Sequence, residues 1–135
     1  AHGMNVVPYL LGRSFIRGLM MVNLVEFDSL YGHRRNVDGY KRAIEDFDYQ
    51  LGGLLDLLTD DDLLLITADH GNDPTWKGTD HTREMVPLLA YSPSMNHSVA
   101  LGDRQSFADI GETVLQNFGL EQWSIGTSFL DSLKA

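Results

Sequence analysis

The stretch Thr67-Ala68-Asp69-His70-Gly71-Asn72-Asp73-Pro74-Thr75-Trp76-Lys77-Gly78-Thr79-Asp80-His81-Thr82-Arg83-Glu84 decides how the rest of the chain is read. It holds two histidines, three aspartates and two glycines, and no helical period runs through it. Residues 63–67 before it read as a buried strand, and residues 86–91 after it (Val-Pro-Leu-Leu-Ala-Tyr) read as another. A polar loop of this length inside a compact domain is more often functional than idle. Its histidines and aspartates are metal-ligand residue types, so the reading is a metal-binding loop.

Outward from the loop, the pattern is that of an α/β fold. Residues 19–27 (Leu-Met-Met-Val-Asn-Leu-Val-Glu-Phe) are nearly all apolar and of strand length, with Met20 and Met21 expected in the core. Such a run suggests a parallel strand covered on both faces. Residues 36–58 carry apolar side chains at 37, 40, 44, 47, 51, 54, 55 and 58, the spacing of an amphipathic helix. Asn36 is placed to cap it, with Asp38 in its first turn. Strand, helix and strand then make a right-handed βαβ unit. No helix separates strands 63–67 and 86–91, so these two are expected to run antiparallel. The expectation is a mostly parallel sheet with flanking helices and one antiparallel strand. A second helix is expected over 106–118, with Ser106 as its cap and Gly119 as its end. Residues 6–16 suggest a short helix, and Trp123, Ile125, Phe129 and Leu133 of the tail are expected to pack on the core.

Composition narrows the function. The chain has 135 residues, enough for one domain with a real core. Net charge is −9, from 19 acidic and 10 basic residues, which argues against nucleic acid as a partner. No apolar run reaches membrane-span length, and residues 1–4 read as a cloning remnant, so His2 is given no role. There is no cysteine, hence no disulfide and no thiolate ligand. A soluble, cytoplasmic protein is the plain expectation.

The candidate ligands come from three places: Asp28 at the end of the first apolar run with His33 five residues on, Asp69 and His70 after the second strand, and His81 deep in the loop. Each alone has an ordinary structural explanation, as a strand-end cap or a loop hydrogen bonder. Together at one sheet edge they favour metal. Three imidazoles and two carboxylates suit manganese, zinc or iron and make up most of two adjacent sites, an arrangement that serves phosphoryl transfer. Asp73 and Asp80 are weaker candidates, fitted to turns or to outer support. Trp76 and Lys77 suit a loop tip or a phosphate contact. Arg34, Arg35 and Arg83 default to helix-start and surface roles with phosphate binding as the alternative. His97 is expected to be a solvated loop residue.

At these residues the chain resembles the bacterial phosphopentomutase family, in the alkaline phosphatase superfamily. The resemblance is carried by Asp28-Ser29-Leu30-Tyr31-Gly32-His33-Arg34-Arg35-Asn36-Val37-Asp38-Gly39-Tyr40 and by residues 67–84. It runs from residue 18 to 135, and residues 1–17 match poorly. It implies that 18–135 are the C-terminal part of a metal-binding phosphotransfer core. It implies that Asp28, His33 and His81 hold one manganese and that Asp69 and His70 contribute to a second. It implies interconversion of ribose or deoxyribose 1-phosphate and 5-phosphate through a phosphothreonine, with a sugar bisphosphate activator. Family members are longer, and their further aspartate ligand, nucleophilic threonine and cap domain match nothing here. Thr67, Thr75, Thr79 and Thr82 read as loop hydroxyls rather than substitutes. The isolated chain is therefore expected to bind metal and to lack mutase activity, and an exposed sheet edge favours self-association. The alternatives are another phosphatase or a phosphoglycerate mutase of the same superfamily, or a non-catalytic, metal-stabilised core piece.

Overall fold

The computed structural model describes residues 4, 7, 8, 11, 12 and 17–134. The chain is α/β. Among the described residues a π-helical segment Phe27–Gly32 leads into helix α1 (Val37–Leu55). Strands β1 (Leu64–Thr67) and β2 (Leu88–Tyr91) follow, then helices α2 (Ala108–Phe118) and α3 (Leu130–Lys134).

Helix α1 begins where its chemistry dictates. The Asn36 side chain accepts the Gly39 N–H at 2.9 Å, and Asp38 lies in the first turn near the positive helix end. The helix stops at Leu55, three residues short of the expected end. Gly52 and Gly53 weaken the last turn, and the Asp62 carboxylate then accepts from both Thr59 N and Thr59 Oγ1 at 2.8 Å, closing a tight turn into β1. Leu54 of α1 packs with Met4 and Val7 as a buried cluster, joined by Met20, Leu24, Phe47, Leu51 and Leu64. Phe27 sets its ring edge-on to Tyr40 and Phe47 of α1, at centroid distances of 5.8 and 6.4 Å. That contact seats the π-helical segment against α1.

The two strands pair antiparallel, as expected, with Leu64 opposite Tyr91 and Thr67 opposite Leu88. Both ends of the long loop therefore lie at one edge of the sheet. Helix α2 ends at Gly119, whose left-handed backbone (φ 68°) suits a residue without Cβ. Its first turn differs from expectation. Phe107, not Ser106, is the capping position, while Ser106 Oγ accepts the Ala108 N–H at 3.1 Å.

The apolar run 19–27 is the main departure. Residues 18–24 have no regular structure, and the expected parallel βαβ unit is not formed among the described residues. A strand exists only as a member of a sheet, and the sheet here has two strands, β1 and β2 alone. Without a partner for its backbone, the run leaves Leu19, Met21, Val22 and Val25 exposed; Met20 alone of the methionine pair is part of the core. In the tail, Phe129 and Leu133 are buried as expected, together with Leu130, but Trp123 and Ile125 are exposed. Their segment is tied to α2 by polar contacts instead. Of the helix expected over 6–16, residues 6, 9, 10 and 13–16 lie outside the described set; Val7, Pro8 and Leu11 have helical backbone.

Candidate metal centre

Asp28 and His33 come together because the chain between them is a π-helix. On an α-helix of 3.6 residues per turn, side chains five apart point roughly 140° away from each other. Here the His33 N–H bonds to the Asp28 carbonyl at 3.0 Å, an i to i+5 link that brings the two onto one face. His33 Nε2 lies 3.3 Å from Asp28 Oδ2.

His81 arrives from the other side of the loop. Its Nε2 is 3.3 Å from Asp28 Oδ1 and 3.2 Å from His33 Nε2. One donor atom from each of these three side chains falls within 4.8 Å of the others. Donors bound to one ion at about 2.1 Å stand roughly 3.0 Å apart at an octahedral right angle and roughly 3.4 Å apart in a tetrahedron. The 3.2 Å between the two imidazole nitrogens falls between these limits, and each nitrogen lies 3.3 Å from a different oxygen of Asp28, so the three side chains are placed to share one cation through either or both carboxylate oxygens.

The protonation of the rings agrees with that fit. The Nδ1–H of His33 donates to the Thr79 carbonyl. A carbonyl only accepts, so in the neutral ring the lone pair is on Nε2, facing Asp28 and His81. His70 Nδ1–H donates to the Gly71 carbonyl at 3.0 Å, which leaves its Nε2 lone pair available as well. The His70 ring stacks on His81 at 3.7 Å between centroids, and His33 lies 4.8 Å from His81.

Asp69 and His70 sit beside the triad and do not complete a second one. Asp69 Oδ1 is 3.6 Å from His70 Nε2, and its side chain is 83 % exposed. Among the described residues, Asp28, His33 and His81 alone form a convergent group of three or more ligand side chains. An open cleft of about 1070 Å³ starts at Asp69 and His70 and follows β2 to Arg104 and Asp109.

The loop between the ligands is stitched to itself. Gly71 and Thr82 form an isolated antiparallel bridge, with Thr82 N–H on the Gly71 carbonyl at 3.3 Å. A Cβ at Gly71 would meet Glu84 N at 2.6 Å, so only glycine allows that approach. Thr82 Oγ1 accepts the Asp73 N–H at 2.6 Å and donates to Glu84 Oε2 at 2.5 Å. Asp73 caps the next turn, accepting Thr75 N–H at 2.8 Å and Thr75 Oγ1–H at 2.7 Å. Those two bonds, the hydroxyl's first, hold the Asp73 carboxyl below the usual carboxylate range, with Arg35 adding to them. Thr67 Oγ1 donates to the Pro87 carbonyl at 2.8 Å. Thr67, Thr75 and Thr82 are thus engaged in loop structure, in line with their expected roles.

Residues outside the sequence-derived ligand set complete the surroundings. Arg35, given a helix-start or phosphate role from sequence, turns its guanidinium into the loop, onto Asn72, Asp73, Gly78 and Asp80. Asn72 Nδ2 donates to Asp28 Oδ1 at 2.6 Å. Tyr40 has its hydroxyl pushed above its usual range by burial first, then by the carboxylates of Asp28 and Glu84. Nothing in the sequence spacing marks Asn72 or Tyr40, because both reach the site across the fold. His97 is an exposed loop residue hydrogen-bonded to Asn96 at 2.9 Å, as expected.

Comparison with known proteins gives a consistent picture. The model of the metalloenzyme superfamily matches residues 9–122. The chain is 56 % identical to a phosphopentomutase of Levilactobacillus brevis over 132 residues, 98 % of this chain and 33 % of that protein. It is 54 % identical to a phosphopentomutase of Clostridium beijerinckii over 134 residues, 98 % of this chain and 34 % of that protein. A phosphopentomutase of Agathobacter rectalis is 54 % identical over the same share of this chain. The chain spans about one third of the length of these curated relatives. A ligand cluster with cation geometry and a family match over most of the sequence lead to one placement: the chain belongs to the metalloenzyme superfamily.

Proposed function

We propose that this chain is the metal-holding portion of a phosphopentomutase, acting in the interconversion of ribose or deoxyribose 1-phosphate and 5-phosphate. One observation carries the reading. Asp28, His33 and His81 converge in a chain 54 to 56 % identical, over nearly its whole length, to proteins named phosphopentomutase. The names of those relatives favour a pentose phosphate over 3-phosphoglycerate as substrate.

In this reading Asp28, His33 and His81 hold one manganese, and Asp69 and His70 contribute to a second, with the remaining ligands from outside this chain. Mixed imidazole and carboxylate donors suit manganese better than calcium or magnesium. Bound metal supplies Lewis-acid charge that offsets the negative charge of a phosphoryl group in transfer. The chain's own part is to aim donors: His33 through its bond to Thr79, Asp28 through Asn72 and the π-helical turn. The nucleophilic threonine and the sugar-gripping cap belong to other parts of the longer enzyme, as does the response to a sugar bisphosphate. The same reading makes the site cytoplasmic and places residues 19–24, ahead of the π-helical segment, beside the sheet as a parallel strand. Exposed Leu19, Met21 and Val22 support that placement, since a strand position would cover them.

Manganese titration followed by electron paramagnetic resonance tests the metal claim. The 135-residue chain is expected to bind manganese, and His81→Ala to abolish most of that binding. Equal binding by the two proteins, or none by either, defeats it. The isolated chain is expected to turn over neither ribose 1-phosphate nor 3-phosphoglycerate; robust interconversion of ribose phosphates by the chain alone refutes the division of labour.

A further inference from the structure

Arg35 lies two residues past His33 and has a left-handed backbone, φ 51°. A non-glycine residue in that region is strained and persists only where its surroundings hold it there. What holds it is the ligand loop. Nε donates to the Gly78 carbonyl at 2.5 Å, Nη2 to the Asp80 carbonyl at 2.5 Å, and Nη1 to the Asp73 carbonyl at 2.7 Å and to Asn72 Oδ1 at 3.0 Å. Each of these four acceptors is uncharged, so the guanidinium acts here as a planar fork more than as a countercharge.

The acceptors lead to the ligands by two routes. Gly78 and Asp80 flank Thr79, whose carbonyl accepts the His33 Nδ1–H. Fixing the carbonyls on either side fixes the one between, and with it the ring orientation and tautomer of His33. On the second route, the amide oxygen of Asn72 faces Arg35, so its NH₂ faces Asp28 and donates to Oδ1 at 2.6 Å. Gly32 makes room for this: a Cβ there would come within 2.1 Å of Asn72 Nδ2.

We infer that Arg35, acting through Asn72 and through the Thr79 carbonyl, is the positioning residue that presets Asp28 and His33 for one metal ion. The inference rests on the metal reading above and adds the residue pair that tunes it. Outer partners of this kind set ligand orientation, and their loss typically lowers metal affinity about 10- to 100-fold.

The test uses the 135-residue chain with Arg35→Lys, Asn72→Ala and, as control, Arg34→Gln at the exposed neighbouring arginine. Lysine keeps the charge and replaces the fork with one ammonium, so a pure charge effect is retained and the positioning is lost. Manganese affinity is expected to fall about 10-fold or more in R35K and in N72A, and to hold in R34Q. Nitrogen-15 spectra of the imidazoles in the metal-free chain separate the two routes. His33 is expected as the Nδ1–H tautomer in wild type and N72A, and as a mixture in R35K. A merely structural role for Arg35 does not produce that split. If R35K does not fold, N72A decides through its affinity. Wild-type affinity in both variants with an unchanged His33 tautomer overturns the inference and leaves the metal reading standing. A wild-type chain that takes up no manganese overturns both.

Discussion

Gly32→Ala adds one methyl group where the Asn72 side chain already fills the space. The backbone of Gly32 is not left-handed, so the glycine is present for space and not for conformation. The added Cβ would lie 2.1 Å from Asn72 Nδ2 and 2.7 Å from Asn72 Cγ. Both atoms belong to the end of a side chain that can rotate away, so overpacking strain is largely relieved. Relief has its own cost. Asn72 then gives up its 2.6 Å bond to Asp28 and its 3.0 Å bond from Arg35. A hydrogen bond to a charged group is worth about 1.5–3 kcal/mol, and less here because the Asp28 side chain is 35 % exposed and water replaces part of it. The bond from Arg35 adds about 1 kcal/mol. Against these stands a gain of about 0.4–1 kcal/mol from reduced freedom of the unfolded chain. The net loss is about 1–2 kcal/mol, or roughly 4–8 °C in melting temperature for a domain of this size. Manganese affinity should fall about 10-fold as Asp28 loses its support. Thermal melts by circular dichroism with and without manganese measure both. Gly52→Ala is the matched contrast, since nothing lies within 4 Å of its added Cβ, and it should stabilise by about 1 kcal/mol. A Gly32→Ala chain with wild-type melting temperature and wild-type affinity refutes the reasoning.

Glu112 is buried, and its carboxylate oxygens accept the N–H groups of Trp123 and Ile125 at 3.2 and 3.1 Å. Glu112→Ala should cost on the order of 3 kcal/mol in urea unfolding, with faster hydrogen exchange at those two amides; unchanged exchange there would mean the tail is held by something else. Tyr40 titrates above the usual tyrosine range in the folded chain because of burial and then the charges of Asp28 and Glu84. The unfolded chain therefore releases that proton first, so stability is unaffected below the unfolded value and falls as pH rises through it. Ultraviolet titration should show a late phenolate that Tyr40→Phe removes. Manganese at about 100 times its dissociation constant should add about 2.7 kcal/mol to stability. The melting temperature should rise with it, return on addition of chelator, and fail to shift in His81→Ala.

The candidate ligands were legible in the sequence for a chemical reason. Imidazole and carboxylate are the residue types that ligate metals in a chain without cysteine, and Asp28, His33, Asp69, His70 and His81 stand out from apolar runs on either side. Helix α1 was equally legible, since a three-and-four apolar spacing and an Asn36 cap are local signals. The antiparallel pairing of β1 and β2 followed from the missing crossover helix. The apolar run 19–27 reads as a strand by composition, yet strand formation depends on a partner edge that composition does not supply.

What the sequence by itself determined is the inventory: which residues can ligate, that α1 carries its own Asn36 cap, and that a long polar loop joins two antiparallel strands. Those follow from local side-chain chemistry and period. Only the tertiary structure decided the arrangement. The π-helical turn aligns His33 with Asp28, a change of helical pitch that no residue pattern announces. Arg35, an ordinary basic residue in the sequence, becomes the clamp of the loop because the backbone carbonyls of Asp73, Gly78 and Asp80 and the side-chain amide oxygen of Asn72 fold back around it. Contacts between residues about 40 positions apart depend on how the whole chain closes, and that is physical information that no window of sequence contains.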